Sequence, residues 1–143
     1  MAEAPKQAMP ARRKSRKRAL DVLYEADLRG LPVLDVLDAY VKRIDPRPEH
    51  LGYAETIVRG VVDQRDRIDE LVSSYAEGWT LDRMPAVDRN LARIAVWEIL
   101  YADGVDDAVA ISEAVELARS LSTEESPRFL NGMLARISEY APR

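Results

Sequence analysis

The sequence predicts an all-α protein, a compact bundle of about six or seven helices. Three observations carry this expectation. No segment alternates apolar and polar residues for long enough to form a strand. Apolar residues instead recur at intervals of three and four along most of the chain. Glycine or proline stands where these periodic stretches stop.

In chain order, residues 1–11, with Pro5 and Pro10, read as a flexible tail. From about Ser15, Ala19, Val22, Leu23 and Ala26 form a helical stripe, closed by Gly30 and Pro32 as a C′ glycine and a following proline close a helix. A short helix follows at about 33–44, with Val33, Leu37, Tyr40, Val41 and Ile44 as its apolar positions. "DPRPE" at 45–49 reads as a linker, because each proline disfavours the helical region for its predecessor. One long helix is expected over about 50–77, from Leu51 through Ile57, Val61, Ile68 and Val72 to Tyr75, with Gly78 ending it. "TLDRM" at 80–84 reads as a single turn capped by Thr80. Pro85 then opens a helix that Gly104 closes. Another helix spans about 110–121, with Ser112 as a cap near its start. The last begins at "SPRF", with Ser126 at the N-cap and Pro127 at the first helical position. Its inward stripe is Leu130, Met133, Leu134 and Ile137. Gly132 inside it costs about 1 kcal/mol relative to alanine. That cost assigns it to a close helix approach, with Asn131 hydrogen-bonding across the contact. Trp79 and Trp97 are assigned to the core.

Composition narrows the function. A chain of 143 residues is one domain by size, here residues 12–143 after the tail. Hydrophobic residues make up 47% and charged residues 32%, a globular balance. Cysteine is absent, which excludes disulfides, thiolate metal sites and cysteine nucleophiles. The one histidine, His50, stands at a linker–helix junction without partners for general-base work, so it reads as incidental. Six scattered glycines build no phosphate-cradling loop. The acid pairs Asp106–Asp107 and Glu124–Glu125 read as charge near positive helix ends. No cofactor, metal or catalytic activity is expected. No apolar run is long enough to span a membrane, and no signal-peptide stretch follows the basic start, so the expected location is cytoplasmic.

The strongest functional signal is electrostatic. Residues 1–18 hold seven basic side chains against Glu3, a net of +6, while the remainder holds 14 basic and 24 acidic residues, a net of −10. Six of the cations crowd into "RRKSRKR": Arg12, Arg13, Lys14, Arg16, Lys17 and Arg18. On a helix Arg13, Arg16, Lys17 and Tyr24 share a side, since eleven residues make about three turns. Cations with an aromatic on one face suit phosphate neutralisation with base stacking; the plain alternative is a solvated tail. Phe129 is the only phenylalanine and lies one place off the inward stripe, beside Arg128. It reads either as a contact residue at the rim or as filler between helices.

Three stretches together resemble the NusB family of bacterial transcription antitermination factors: "RRKSRKRALDVLYEADL", "RNLARIAVWEIL" and "VAISEAVELARSLSTEESPRFLNGML". They stand in family order and spacing, over about Arg12 to Ile137. The resemblance implies a bundle of about seven helices in two small helical subdomains. It implies binding to boxA RNA of ribosomal RNA transcripts together with NusE, a small-subunit ribosomal protein, within an RNA polymerase antitermination complex, without catalysis. By position, the RNA contacts fall on Arg12, Arg13, Lys14, Arg16, Lys17, Tyr24, Glu125, Arg128 and Phe129. Contact with NusE falls on Asp88, with Arg89 and Arg93 nearby. A homodimer is a further expectation, since some members of the family self-associate near the RNA site. Three positions depart from the family pattern: Ser112 replaces an asparagine, Leu121 a common phenylalanine and Asp88 a glutamate. The domain also occurs fused to RNA cytosine methyltransferases, and no such domain is expected here. The rival readings are a protein-interaction adaptor whose basic tail is only a tether, with no RNA sequence selectivity, and an enzyme accessory domain.

Overall fold

The computed structural model describes the backbone of residues 3–43 and 48–143, and side chains from 12–43 and 52–143. Lys6, Ile44, the 45–47 part of the expected linker, His50 and Leu51 therefore lie outside the described side chains. The described residues form seven α-helices and one 3-10 turn, with no strand among them. The helices are α1 (Glu3–Arg29), α2 (Val33–Arg43), α3 (Pro48–Asp63), α4 (Arg65–Tyr75), α5 (Ala86–Tyr101), α6 (Asp107–Leu121) and α7 (Ser126–Tyr140). The 3-10 turn, Leu81–Arg83, precedes α5.

Most stops stand where the punctuation put them. Gly30, Gly78 and Gly104 all have positive φ, the conformation that side-chain-bearing residues resist. After α1, the Leu31 N–H donates to the Ala26 carbonyl at 3.0 Å, a Schellman-type closure across Gly30. Three boundaries differ from expectation. The backbone of α1 is helical from Glu3 rather than from about Ser15. Pro5 occupies the first turns, where a missing N–H leaves no helical bond unmade. The long helix expected over 50–77 is two helices, because Gln64 leaves the helical region with φ −110° and ψ 21°. The apolar period runs straight across Gln64, so periodicity could not reveal the break. Helix α6 starts at Asp107, which puts Ser112 in its exposed second turn and not at a cap.

The chain divides into two compact units, Met1–Arg59 and Gly60–Arg143. In the first, α1 packs on α2, and Ala19, Leu20, Val22, Leu23, Ala26, Val36 and Leu37 are buried. In the second, α5 is the central helix: α4, α6 and α7 all pack on it. Every residue from Asn90 to Ile99 is buried, as a helix enclosed on all sides requires. Leu130, Met133, Leu134 and Ile137 of α7 are fully buried, as their spacing predicts.

The close helix approach is at Gly60, not at Gly132. A Cβ on Gly60 would stand 2.1 Å from the Trp97 indole nitrogen, so the ring lies directly on the glycine. A Cβ on Gly132 would meet only the flexible Arg136 side chain, at 3.5 Å, and Asn131 is exposed. Trp97, 7% exposed, is core as expected. Gly60→Ala should destabilise the protein by about 1–3 kcal/mol, the usual range for overpacking, even though alanine favours helix by up to ~1 kcal/mol. Gly132→Ala should be neutral or stabilising. Denaturant melts of both variants check this pair.

The C-terminus is clipped to α6. Arg143 donates to Asp107 and also to the Ile99 and Ser138 carbonyls, each at 3.0 Å; Ser138 donates to Asp107 at 2.5 Å. The Arg143 guanidinium, then the Ser138 hydroxyl, hold the Asp107 carboxyl below its ordinary value against a partial burial that opposes them. A depressed folded-state value means a stabilisation present above the ordinary aspartate range and lost as pH falls through the folded value. Arg143→Ala should therefore flatten the stability loss on acidification below about pH 4, measured as the denaturation midpoint against pH.

Candidate nucleic-acid interface

The first group of predicted residues lies on α1. Arg13 and Lys14 are exposed. Lys17 is half-exposed and paired with Asp21 at 2.8 Å, an i,i+4 contact between solvated groups that contributes little. Tyr24 is 37% exposed, three turns beyond Arg13. These four form a solvent-facing cationic strip with an aromatic at its end. Two predicted members turn away from it. Arg16 is 2% exposed, a buried side chain rather than one that meets phosphate. It sits toward the edge of the face that carries Ala19, Leu20 and Leu23, which the burial resolves in favour of the core. The Arg12 guanidinium lies 4.4 Å from the centre of the Tyr53 ring, a cation–π contact that ties α1 to α3 within the first unit.

Sequence reasoning missed the other side of the strip. Lys14, Lys17, Arg18, Asp21 and Tyr40 line one shallow depression. The Tyr40 hydroxyl donates to Asp21 at 3.3 Å. Burial, then the Asp21 carboxylate, push the Tyr40 phenol above its ordinary value, so it remains a neutral donor. Tyr40 had been counted as a position in the apolar stripe of α2. Its polar end was the available signal.

The second group lies at the start of α7, in the other unit. Its geometry is set by Asp88, which is 2% exposed. The carboxylate accepts from Ser122 at 2.5 Å and from Ser126 at 2.7 Å. The Ser126 proton is committed to Asp88, so its oxygen accepts from the Thr123 N–H at 3.2 Å and from the Thr123 hydroxyl at 2.8 Å. Ser126 opens α7 with Pro127 behind it, but its hydroxyl serves this cluster and caps no helix N–H; Glu125 holds the N-cap position. The loop so fixed presents Glu125 and Arg128, both exposed, and Phe129, half-buried. Phe129 meets Trp79, ring centres 6.2 Å apart and planes at 56°. Trp79 is 46% exposed, which overturns its assignment to the core. It follows Gly78 in a non-helical segment, outside the helices whose stripes form the core.

Asp88, Arg89 and Arg93 were expected to face a protein partner. Two of them are buried, and the contacts of all three lie within the fold. Arg93, 5% exposed, forks onto Asp69 through Nε at 2.8 Å and a terminal nitrogen at 3.1 Å, tying α5 to α4. Its other terminal nitrogen donates to Asn90 at 3.0 Å. Arg89 donates to the carbonyls of Leu81 at 2.8 Å and Met84 at 3.0 Å, closing the 3-10 turn. The helical period of α5 could not expose this, because its polar residues are enclosed along with the apolar ones. Among the described residues no group of acidic or histidine side chains could hold a metal ion, and no helix is long and apolar enough to cross a membrane.

An all-α fold with a cationic first helix and an aromatic–acidic last-helix start defines a class, and the comparisons specify it. The model of the NusB family matches residues 13–139. The chain is 74% identical over 136 residues to the transcription antitermination protein NusB of Salinispora tropica, covering 94% of this chain and 100% of that one. It is 61% identical to the protein of the same name from Kineococcus radiotolerans, covering 92% and 95%. Among solved structures, T. maritima NusB superposes with a TM-score of 0.81 at 32% identity, covering 92% of this chain and 93% of that one. A chain in the crystal structure of the antitermination factors NusB and NusE in complex with dsRNA gives 0.80 at 27% identity, covering 92% and 98%. The protein belongs to the NusB family.

Asp88→Ala should cost roughly 1–3 kcal/mol, because it leaves the Ser122 and Ser126 hydroxyls without their acceptor. Asp88→Lys should cost more, since it places a cation in the same enclosed space. A denaturant melt checks both. Wild-type stability in either variant would show that the carboxylate does not hold the loop.

Proposed function

We propose that this protein is a non-catalytic transcription antitermination factor. It binds boxA RNA of ribosomal RNA transcripts together with NusE, in the cytoplasm, as part of an RNA polymerase antitermination complex. The observation that carries this reading is the exposed strip of Arg13, Lys14, Lys17 and Tyr24 on a NusB-family chain. Three cations at helical spacing neutralise successive phosphates, and the phenol ring offers a base a stacking face. Support comes from the structural neighbour, NusB crystallised with NusE and dsRNA. Glu125, Arg128 and Phe129 supply the second RNA-contacting group in this reading. Asp88, Arg89 and Arg93 act on partner binding only through the fold they hold. Self-association into a homodimer is a separate proposal, read by size-exclusion with and without RNA.

An adaptor with a basic tether would bind boxA RNA and a scrambled RNA alike, so the two titrations separate the readings. Changing Arg13, Lys14 and Lys17 together to glutamine should weaken RNA binding and reduce the log–log salt slope by about 2, given about 0.7 per single-strand phosphate contact. Helical circular dichroism should hardly change, because all three side chains are solvated. Arg16→Gln should behave differently, lowering stability because the side chain is buried. An unaltered salt slope in the triple variant would remove α1 from the RNA site.

A further inference from the structure

We infer that Trp79 is a base-stacking residue, and that the pocket it walls with Phe129 receives an amino-bearing nucleobase of single-stranded RNA. The inference rests on the RNA-binding reading above and adds to it a residue and the chemistry of the base. A large apolar ring is exposed to 46% there, its centre 6.2 Å from that of Phe129. Tilted rings at this spacing are a favoured aromatic arrangement. Trp79, Phe129 and Pro85, with Thr123, Glu125, Asp88 and Ser126, line a pocket of about 160 Å³ whose surface is almost wholly apolar. That volume suits one planar group, not a cofactor-sized ligand.

The lining decides what enters. No lysine or arginine lines the pocket and its surface is apolar, so it offers a phosphate nothing to bind. A planar group with apolar faces and N–H donors on its edge fits. Bases splayed from a single strand stack on aromatic faces and are read along their hydrogen-bonding edges. A carboxylate accepts from an exocyclic amino group, which uracil lacks. Glu125 makes no cap bond to α7 and stands open at the rim as that acceptor. Asp88 already accepts from two hydroxyls, which leaves Glu125 as the open acceptor.

The test uses the full chain. Because the protein has two tryptophans, Trp97→Phe leaves Trp79 as the only indole emitter. Titration with single-stranded boxA RNA should quench its fluorescence. In the otherwise wild-type chain, Trp79→Ala should weaken RNA binding about tenfold or more, the scale of one lost base–aromatic stack, with the melting transition nearly kept. Trp79→Phe should restore most of the affinity. Glu125→Ala should abolish the preference for RNA over a version whose amino-bearing bases are replaced by uracil. RNA binding with neither quenching nor an effect of Trp79→Ala would overturn the inference and leave the RNA reading standing. If wild-type protein fails to bind RNA, both fall. Quenching by NusE without RNA would assign the pocket to a protein side chain, and overturn the inference as well.

Discussion

The second unit depends on the placement of one buried carboxylate. Asp88 sits in the first turn of α5, where the helix dipole favours an anion, and it takes the hydroxyl protons of Ser122 and Ser126. Those two serines stand at the end of α6 and the start of α7. A single side chain thus joins three helix ends, and the 122–126 loop has its conformation set from beneath. Burying a carboxylate without such donors is costly, so the serines and the aspartate require one another. The consequence reaches the surface. Phe129, Glu125 and Arg128 point where they do because the turn before them is held from inside.

The same logic sorts the arginines. A guanidinium offers five donors in a fixed fork, which suits it to tying elements together as much as to binding phosphate. Arg93 spends its fork on Asp69 and Asn90, Arg89 on two carbonyls of the 3-10 turn, and Arg136 on the Tyr75 carbonyl that ends α4. Each satisfies a helix end, a turn carbonyl or a part-buried side-chain acceptor. The solvated cations of α1 are Arg13 and Lys14, with Lys17 half-exposed beside Asp21.

Local chemistry was legible in the sequence, and enclosure was not. Helix type, the positive-φ glycines and the α7 stripe follow from spacing and backbone sterics, which act within a few residues. Arg16 and Asp88 were misplaced because charge predicts exposure only where no neighbouring element closes over it. Their neighbours are distant in sequence: Asp88 bonds residues 34 and 38 positions away. The two glycines make the same point. Gly132 drew attention by its mid-helix cost, yet Gly60 carries the close contact, with a ring 37 positions ahead. Trp79 was misjudged for a related reason. A tryptophan in a globular chain is usually core, and only the tertiary pairing with Phe129 holds this one at the surface.

Charge and enclosure together explain why so acidic a protein carries a cationic end. The net of +6 in residues 1–18 against −10 elsewhere is a separation along the chain. Long-range repulsion from the acidic remainder opposes loose association with any polyanion. In the proposed reading a strand that lays its phosphates along the α1 strip gains the attraction that overcomes it, and salt screens both effects over about 8–10 Å. The inferred pocket beside α7 is apolar where the strip is cationic, so in the proposed reading the phosphate chemistry belongs to the first unit and the stacking chemistry to the second.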